Sequence, residues 1–121
     1  MIRACAATLL AIGLATPADA QNVDGYLELA RQYAAGDADK ATAALSTWSR
    51  REIGSAADWA DQSASVHDLL AVAMLHTELA NSIIDTQADA AQFHLNVADG
   101  TLTAASTRFG EIGRASCRER V

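Results

Sequence analysis

The residues best suited by type to metal or acid–base chemistry are three histidines, His67, His76 and His94. On a helix from about Ser63 to Asp85, His67 projects near Glu78 and Asp85 on the polar side and is expected to be solvated. His76 falls instead among Leu69, Val72, Leu79 and Ala80, within the apolar arc. An antiparallel hairpin closed at Thr86 and Gln87 puts His76 ten residues before its centre and His94 eight after it. At about 1.5 Å of rise per residue the two differ in height by only about 3 Å, so they can meet across the helix interface. Such a pair is a candidate transition-metal site, with a further ligand from beyond Glu111, or a sensor of acid pH. Two ligands alone hold zinc weakly, because structural sites use four and catalytic sites three. The plainer expectation is two half-buried histidines, each donating to a backbone or side-chain oxygen.

Other catalytic patterns fail on particular residues. His76-Thr77-Glu78 begins like a deaminase His-x-Glu, but that chemistry needs a Cys-x-x-Cys pair to hold zinc, and the chain has only Cys5 and Cys117. A zinc-protease helix needs a second histidine four residues after the first, where Ala80 stands. The sequence has no Glu-x-x-His for a diiron site, no Cys-x-x-Cys-His for covalent haem, no Gly-x-Ser-x-Gly elbow and no Gly-rich phosphate loop. The expectation is a protein without catalytic residues or cofactor.

The elements that must carry these side chains are helices. Alanine dominates, proline is absent after Pro17, and no run alternates with period two. Tyr26, Leu29, Ala30 and Tyr33 form an amphipathic stripe, which returns at Ala41, Ala44, Leu45 and Trp48. Between them Gly36 is placed to end the first helix in the left-handed conformation and Asp37 to cap the second. That second helix is expected to run to Arg50 and Arg51, with Gly54 beyond it and a weak restart at Ser55-Ala56-Ala57-Asp58. The third, from Ser63 to Asp85, is apolar over more than half its circumference, with Leu70, Met74 and Ile84 among its apolar residues, and must be covered from two sides. A fourth from about Ala88 to Ser106 sets Ala91, Leu95, Ala98 and Leu102 on one side and Phe93, Val97 and Ala104 on the other. Trp48 is expected in the first hairpin's core and Trp59 as a lid on it. The fold class is all-α: antiparallel helical hairpins, as the start of a solenoid or a small bundle.

Residues 1–20 have the three parts of a secretory signal: Arg3, an apolar run from Ala4 to Leu14, and small residues at Ala18 and Ala20 before Gln21. The apolar run is far shorter than the roughly 20 residues of a membrane-spanning helix. No cysteine follows the expected cleavage point and no twin arginine precedes it, so the general secretory route to a bacterial periplasm or beyond is expected, with no membrane span after cleavage.

Residues 112–121, Ile-Gly-Arg-Ala-Ser-Cys-Arg-Glu-Arg-Val, resemble the in-frame translation of a common short-read sequencing adapter and are set aside as non-native. The segment from Gln21 to Glu111 then carries five basic against 13 acidic residues, a net charge of −8, and no cysteine. Such an acidic domain repels phosphate backbones, so nucleic acid is not an expected partner.

Tyr33-Ala34-Ala35-Gly36-Asp37-Ala38-Asp39-Lys40-Ala41, followed by Leu45, resembles the turn and second helix of a tetratricopeptide repeat. Trp48 departs from that pattern, standing where the family has a small residue. The resemblance covers one repeat unit and implies a truncated array that scaffolds protein or peptide contacts, without active-site residues. A helical bundle that binds a small ligand or metal through His76 and His94 is the alternative expectation. The export signal makes one direct prediction: protein recovered from a bacterial periplasm should begin at Gln21 by mass measurement, and an intact Met1 retained in the membrane would contradict it.

Overall fold

The computed structural model describes the backbone of residues 16–120 and the side chains of residues 22–112. Within that span the chain is an all-α bundle of five helices: α1 Thr16–Ala34, α2 Ala38–Leu45, α3 Arg50–Ser63, α4 Val66–Ile83 and α5 Ala88–Arg120. Most of the expected export signal lies outside the described residues. Among the described residues no helix is long and apolar enough to cross a membrane.

The first turn forms as its residues dictate. Gly36 has φ +107°, a left-handed backbone that a side chain would strain. Its amide bonds to the Tyr33 carbonyl at 3.1 Å and that of Asp37 to Gln32 at 3.0 Å, the paired bonds of a Schellman ending. Asp37 occupies the N-cap of α2, but its carboxylate makes no capping hydrogen bond, contrary to expectation.

The second turn lies earlier than the sequence pattern suggests. α2 stops at Leu45, where the Ser46 and Thr47 hydroxyls bond back to the carbonyls of Ala43 and Ala44. Ser49 then starts α3 with a capping box: its hydroxyl accepts from the Glu52 amide at 3.1 Å while Glu52 accepts from the Ser49 amide at 3.0 Å. Arg50 and Arg51 therefore open α3 instead of closing α2, and Gly54 and Ser55 lie inside one continuous helix. The reciprocal cap outweighs the roughly 1 kcal/mol that an interior glycine costs. Ser65, accepting from the Asp68 amide at 3.1 Å, likewise starts α4 at Val66, three residues later than expected from Ser63.

α4 and α5 form an antiparallel hairpin, closed where Gln87 bonds back to Ile83 at 2.7 Å. α1 packs on α2, α3 and α4, while α2 also touches α4, and α3 touches α5. The broad apolar surface of α4 is thus covered by α5 on one side and α1 with α2 on the other. Leu69, Val72, Leu75, His76, Leu79 and Ala80 point inward, but Leu70, Met74 and Ile84 stay exposed. On α5 the buried stripe is Ala91, His94, Ala98, Thr101 and Ala105, so it runs between the two faces expected from the sequence and leaves Leu102 45% exposed. Small residues let α5 lie close to α4, and large ones are turned to the flanks. α5 also continues past Ser106 as far as Arg120, no proline interrupting it.

Trp48 lies in the α2–α3 turn, half-buried, its ring centroid 5.9 Å from that of Tyr26. Trp59 is 49% exposed and so is no lid on the core. Because the Ser49 box decides where α3 begins, Ser49→Ala should destabilise the fold by about 1 kcal/mol in denaturant unfolding. The same change at Ser46, outside the box, should cost less.

Candidate functional site

The core of this bundle contains a polar chain. Tyr26 comes from α1, His76 from α4 and His94 from α5, each on the face that its helix buries. The Tyr26 hydroxyl lies 2.5 Å from His76 Nε2, and His76 Nδ1 lies 2.8 Å from His94 Nδ1. His76 and Tyr26 are wholly buried and His94 is 6% exposed. The two histidines that helix rise brings to similar heights on either side of the turn meet, ring centroids 5.0 Å apart. They bond to each other, and His76 also bonds the Tyr26 hydroxyl, instead of each donating separately to a nearby oxygen. His67 is exposed on the outer side of α4, as its position among acidic residues suggests.

His94 is the member that reaches the surface. It lines a cleft of about 290 Å³ between the α2–α3 turn and the start of α5, together with Trp48, Arg50, Phe93 and Gln87. Phe93 meets His94 edge to face at 5.4 Å, and the Arg50 guanidinium lies 5.3 Å from the Phe93 centroid in a cation–π arrangement. Among the described residues no carboxylate pairs with Arg50, the ion pair there being Arg31 with Asp68 across α1 and α4. The first turn of α5, whose amides lack partners within the helix, adjoins the same opening at Ala88, Asp89 and Ala90.

Electrostatics keep the chain neutral. Burial drives the His76 pKa down to about 3, with neighbouring His94 adding to the fall. Burial also lowers that of His94, and Arg50 lowers it further. The Tyr26 hydroxyl is raised far above its ordinary value, first by burial and then by the negative charge of Asp61. Asp61 on α3 is itself raised by burial, against the opposing effects of Thr101 and Arg108. Among the described residues Asp61 Oδ1 and Thr101 Oγ1 are buried without a hydrogen-bond partner in good geometry, although the hydroxyl is near enough to favour the carboxylate. The Arg108 side chain bonds the Asp61 carbonyl.

A metal ion fits this pair poorly. Nitrogens on one tetrahedral zinc, each about 2.05 Å from it, stand roughly 3.3 Å apart. At 2.8 Å the ring nitrogens share a proton instead, and among the described residues no group of three or more His, Cys, Asp or Glu is placed to hold a metal. What the arrangement offers is a buried hydrogen-bond chain ending at a cleft with one cation and two aromatic walls. Sequence reasoning did not single out Tyr26, Arg50 and Phe93 as site residues. The one available signal was Tyr26 itself, since a phenol on an apolar stripe needs a polar partner.

No protein family, curated protein or solved structure matches the chain.

The lowered histidines couple folding to protons. An unfolded histidine binds a proton below about 6.5 while folded His76 resists one down to about 3, so the unfolded state gains protons first as pH falls. Stability attributable to His76 is thus complete above pH 6.5 and should decline by about 1.4 kcal/mol per pH unit between there and its folded pKa. Urea unfolding at stepped pH measures this, and the slope should flatten in His76→Gln.

Proposed function

We propose that the chain is an exported, non-catalytic binding module whose cleft receives the carboxylate of an apolar or aromatic acid. The acid is either a free molecule or the end of a peptide, since both present the same chemistry. The observation that carries this reading is Arg50: it stands at the cleft, held against Phe93, without a carboxylate partner among the described residues. Its position is notable in a segment of net charge −8 in which acidic residues are plentiful. Trp48 and Phe93 supply apolar walls, and a cleft of about 290 Å³ is the size of one ring-bearing side chain or small acid. The exposed α5 carboxylate Asp89 lines the adjoining opening with Arg50 and opposes anions there.

A second reading, the scaffold for protein contacts that the tetratricopeptide resemblance implies, has its own support. Met74 is 57% exposed and Leu102 45%, and with Tyr33 they border a shallow groove of about 220 Å³ across α1, α4 and α5. Leu70 extends the apolar strip along α4.

Trp48 reports on the cleft directly, so its fluorescence in a Trp59→Phe background should change on adding benzoate. The tripeptide Gly-Gly-Phe should act likewise if the source is a peptide end, and its C-terminal amide should not. Arg50→Gln should weaken binding by about tenfold or more, the usual worth of a charge-assisted hydrogen bond. Equal binding of acid and amide, or no effect at Arg50, would remove the carboxylate from the reading.

A further inference from the structure

We propose that Tyr26 is a positioning residue for this cleft: it fixes the tautomers of the histidine pair so that His94 presents an N–H, not a lone pair, to the ligand. The inference rests on the cleft being the ligand site and specifies what the site selects, namely hydrogen-bond acceptors such as a carboxylate oxygen.

The direction of the chain follows from one hydrogen atom. Tyr26 is fully buried, so its O–H must find an acceptor inside the protein, and an orphaned buried donor is costly. His76 Nε2 at 2.5 Å is the acceptor in place. Asp61, the charged group on α3 that acts on Tyr26, makes no hydrogen bond to it, and its negative charge with burial keeps the phenol protonated. Since His76 Nε2 accepts, neutral His76 carries its proton on Nδ1 and donates it to His94 Nδ1. His94 then accepts at Nδ1, and its own proton must sit on Nε2. Among the described residues that nitrogen has no partner and is not one of the buried unpartnered atoms, while the His94 side chain lines the cleft. The cleft therefore offers an N–H from His94 beside the guanidinium of Arg50. Reversing the chain would turn the His94 lone pair outward and leave the Tyr26 hydrogen without an acceptor.

This order also bears on protonation. A second proton on His94 would have to occupy Nδ1, against the N–H of His76, with Arg50 on the other side of the ring. Burial opposes it first and the Arg50 charge from α3 next, while Tyr26 from α1 faces His76, so His94 remains a neutral donor at neutral pH.

Nitrogen-15 spectra of the histidine-labelled full chain at pH 7.5 test the assignment, because the two ring nitrogens of each neutral imidazole differ sharply between tautomers. The expected pattern is Nδ1–H for His76 and Nε2–H for His94. The opposite pattern, or an even mixture, overturns the inference without touching the carboxylate reading. In Tyr26→Phe, with helicity checked by circular dichroism, the single pattern should give way to a mixture, and benzoate affinity should fall by about twofold as the competent tautomer drops toward half. An unchanged spectrum in that variant also overturns it. A variant that fails to fold leaves the decision to the wild-type spectrum. If benzoate does not bind the wild type, the carboxylate reading falls, and the selectivity inferred here falls with it.

Discussion

The structure depends on one buried line of hydrogen bonds, from Tyr26 through His76 to His94, which crosses α1, α4 and α5 at the centre of a mostly apolar bundle. Polar atoms taken from water must find partners or cost free energy, so these three side chains specify each other. A rotation of α5 that buried Leu102 in place of Thr101 would carry His94 away from His76 and leave both rings unsatisfied. The apolar packing around them, from Leu69, Leu75 and Ile53, would tolerate small slips far better.

The same line explains why much of α5 looks unlike a core helix in composition. Its inward residues are alanine, histidine and threonine, whereas Phe93 and Val97 pack only partly buried against the core and Leu95 is part-exposed. Two imidazole nitrogens separated by 2.8 Å require helix backbones close enough that larger neighbours in the stripe would force them apart. Phe93 then has a different task, flanking His94 and carrying Arg50 at the surface.

Much of this architecture was legible in the residues, and the failures have physical causes. The hairpin geometry of α4 and α5 follows from periodicity and a short turn, and helix rise brings His76 and His94 to similar heights, but rise does not decide that the two rings face each other. The boundary between α2 and α3 does not follow from periodicity, because apolar spacing runs on through Trp48 while the stop is set by the Ser46 and Thr47 hydroxyls and the Ser49 box. Hydrogen-bonding side chains compete locally with the helix in ways that a hydrophobic wheel does not record. The cleft was illegible for a related reason: Trp48, Arg50 and His94 lie on three separate stretches of chain and converge only once that turn is fixed. Trp59 shows the converse, a large apolar residue left at the surface although tryptophan is mostly buried.

The alanine stripe on α5 acts as a spacer of set thickness. Ala91 and Ala98 flank His94 one turn away on either side, so the distance between two imidazoles is held by methyl groups rather than by the rings themselves. Growth of either methyl would act as a wedge between α4 and α5. Such a wedge would act first on the short bond between His76 and His94, which tolerates less displacement than the packing of the helices around it.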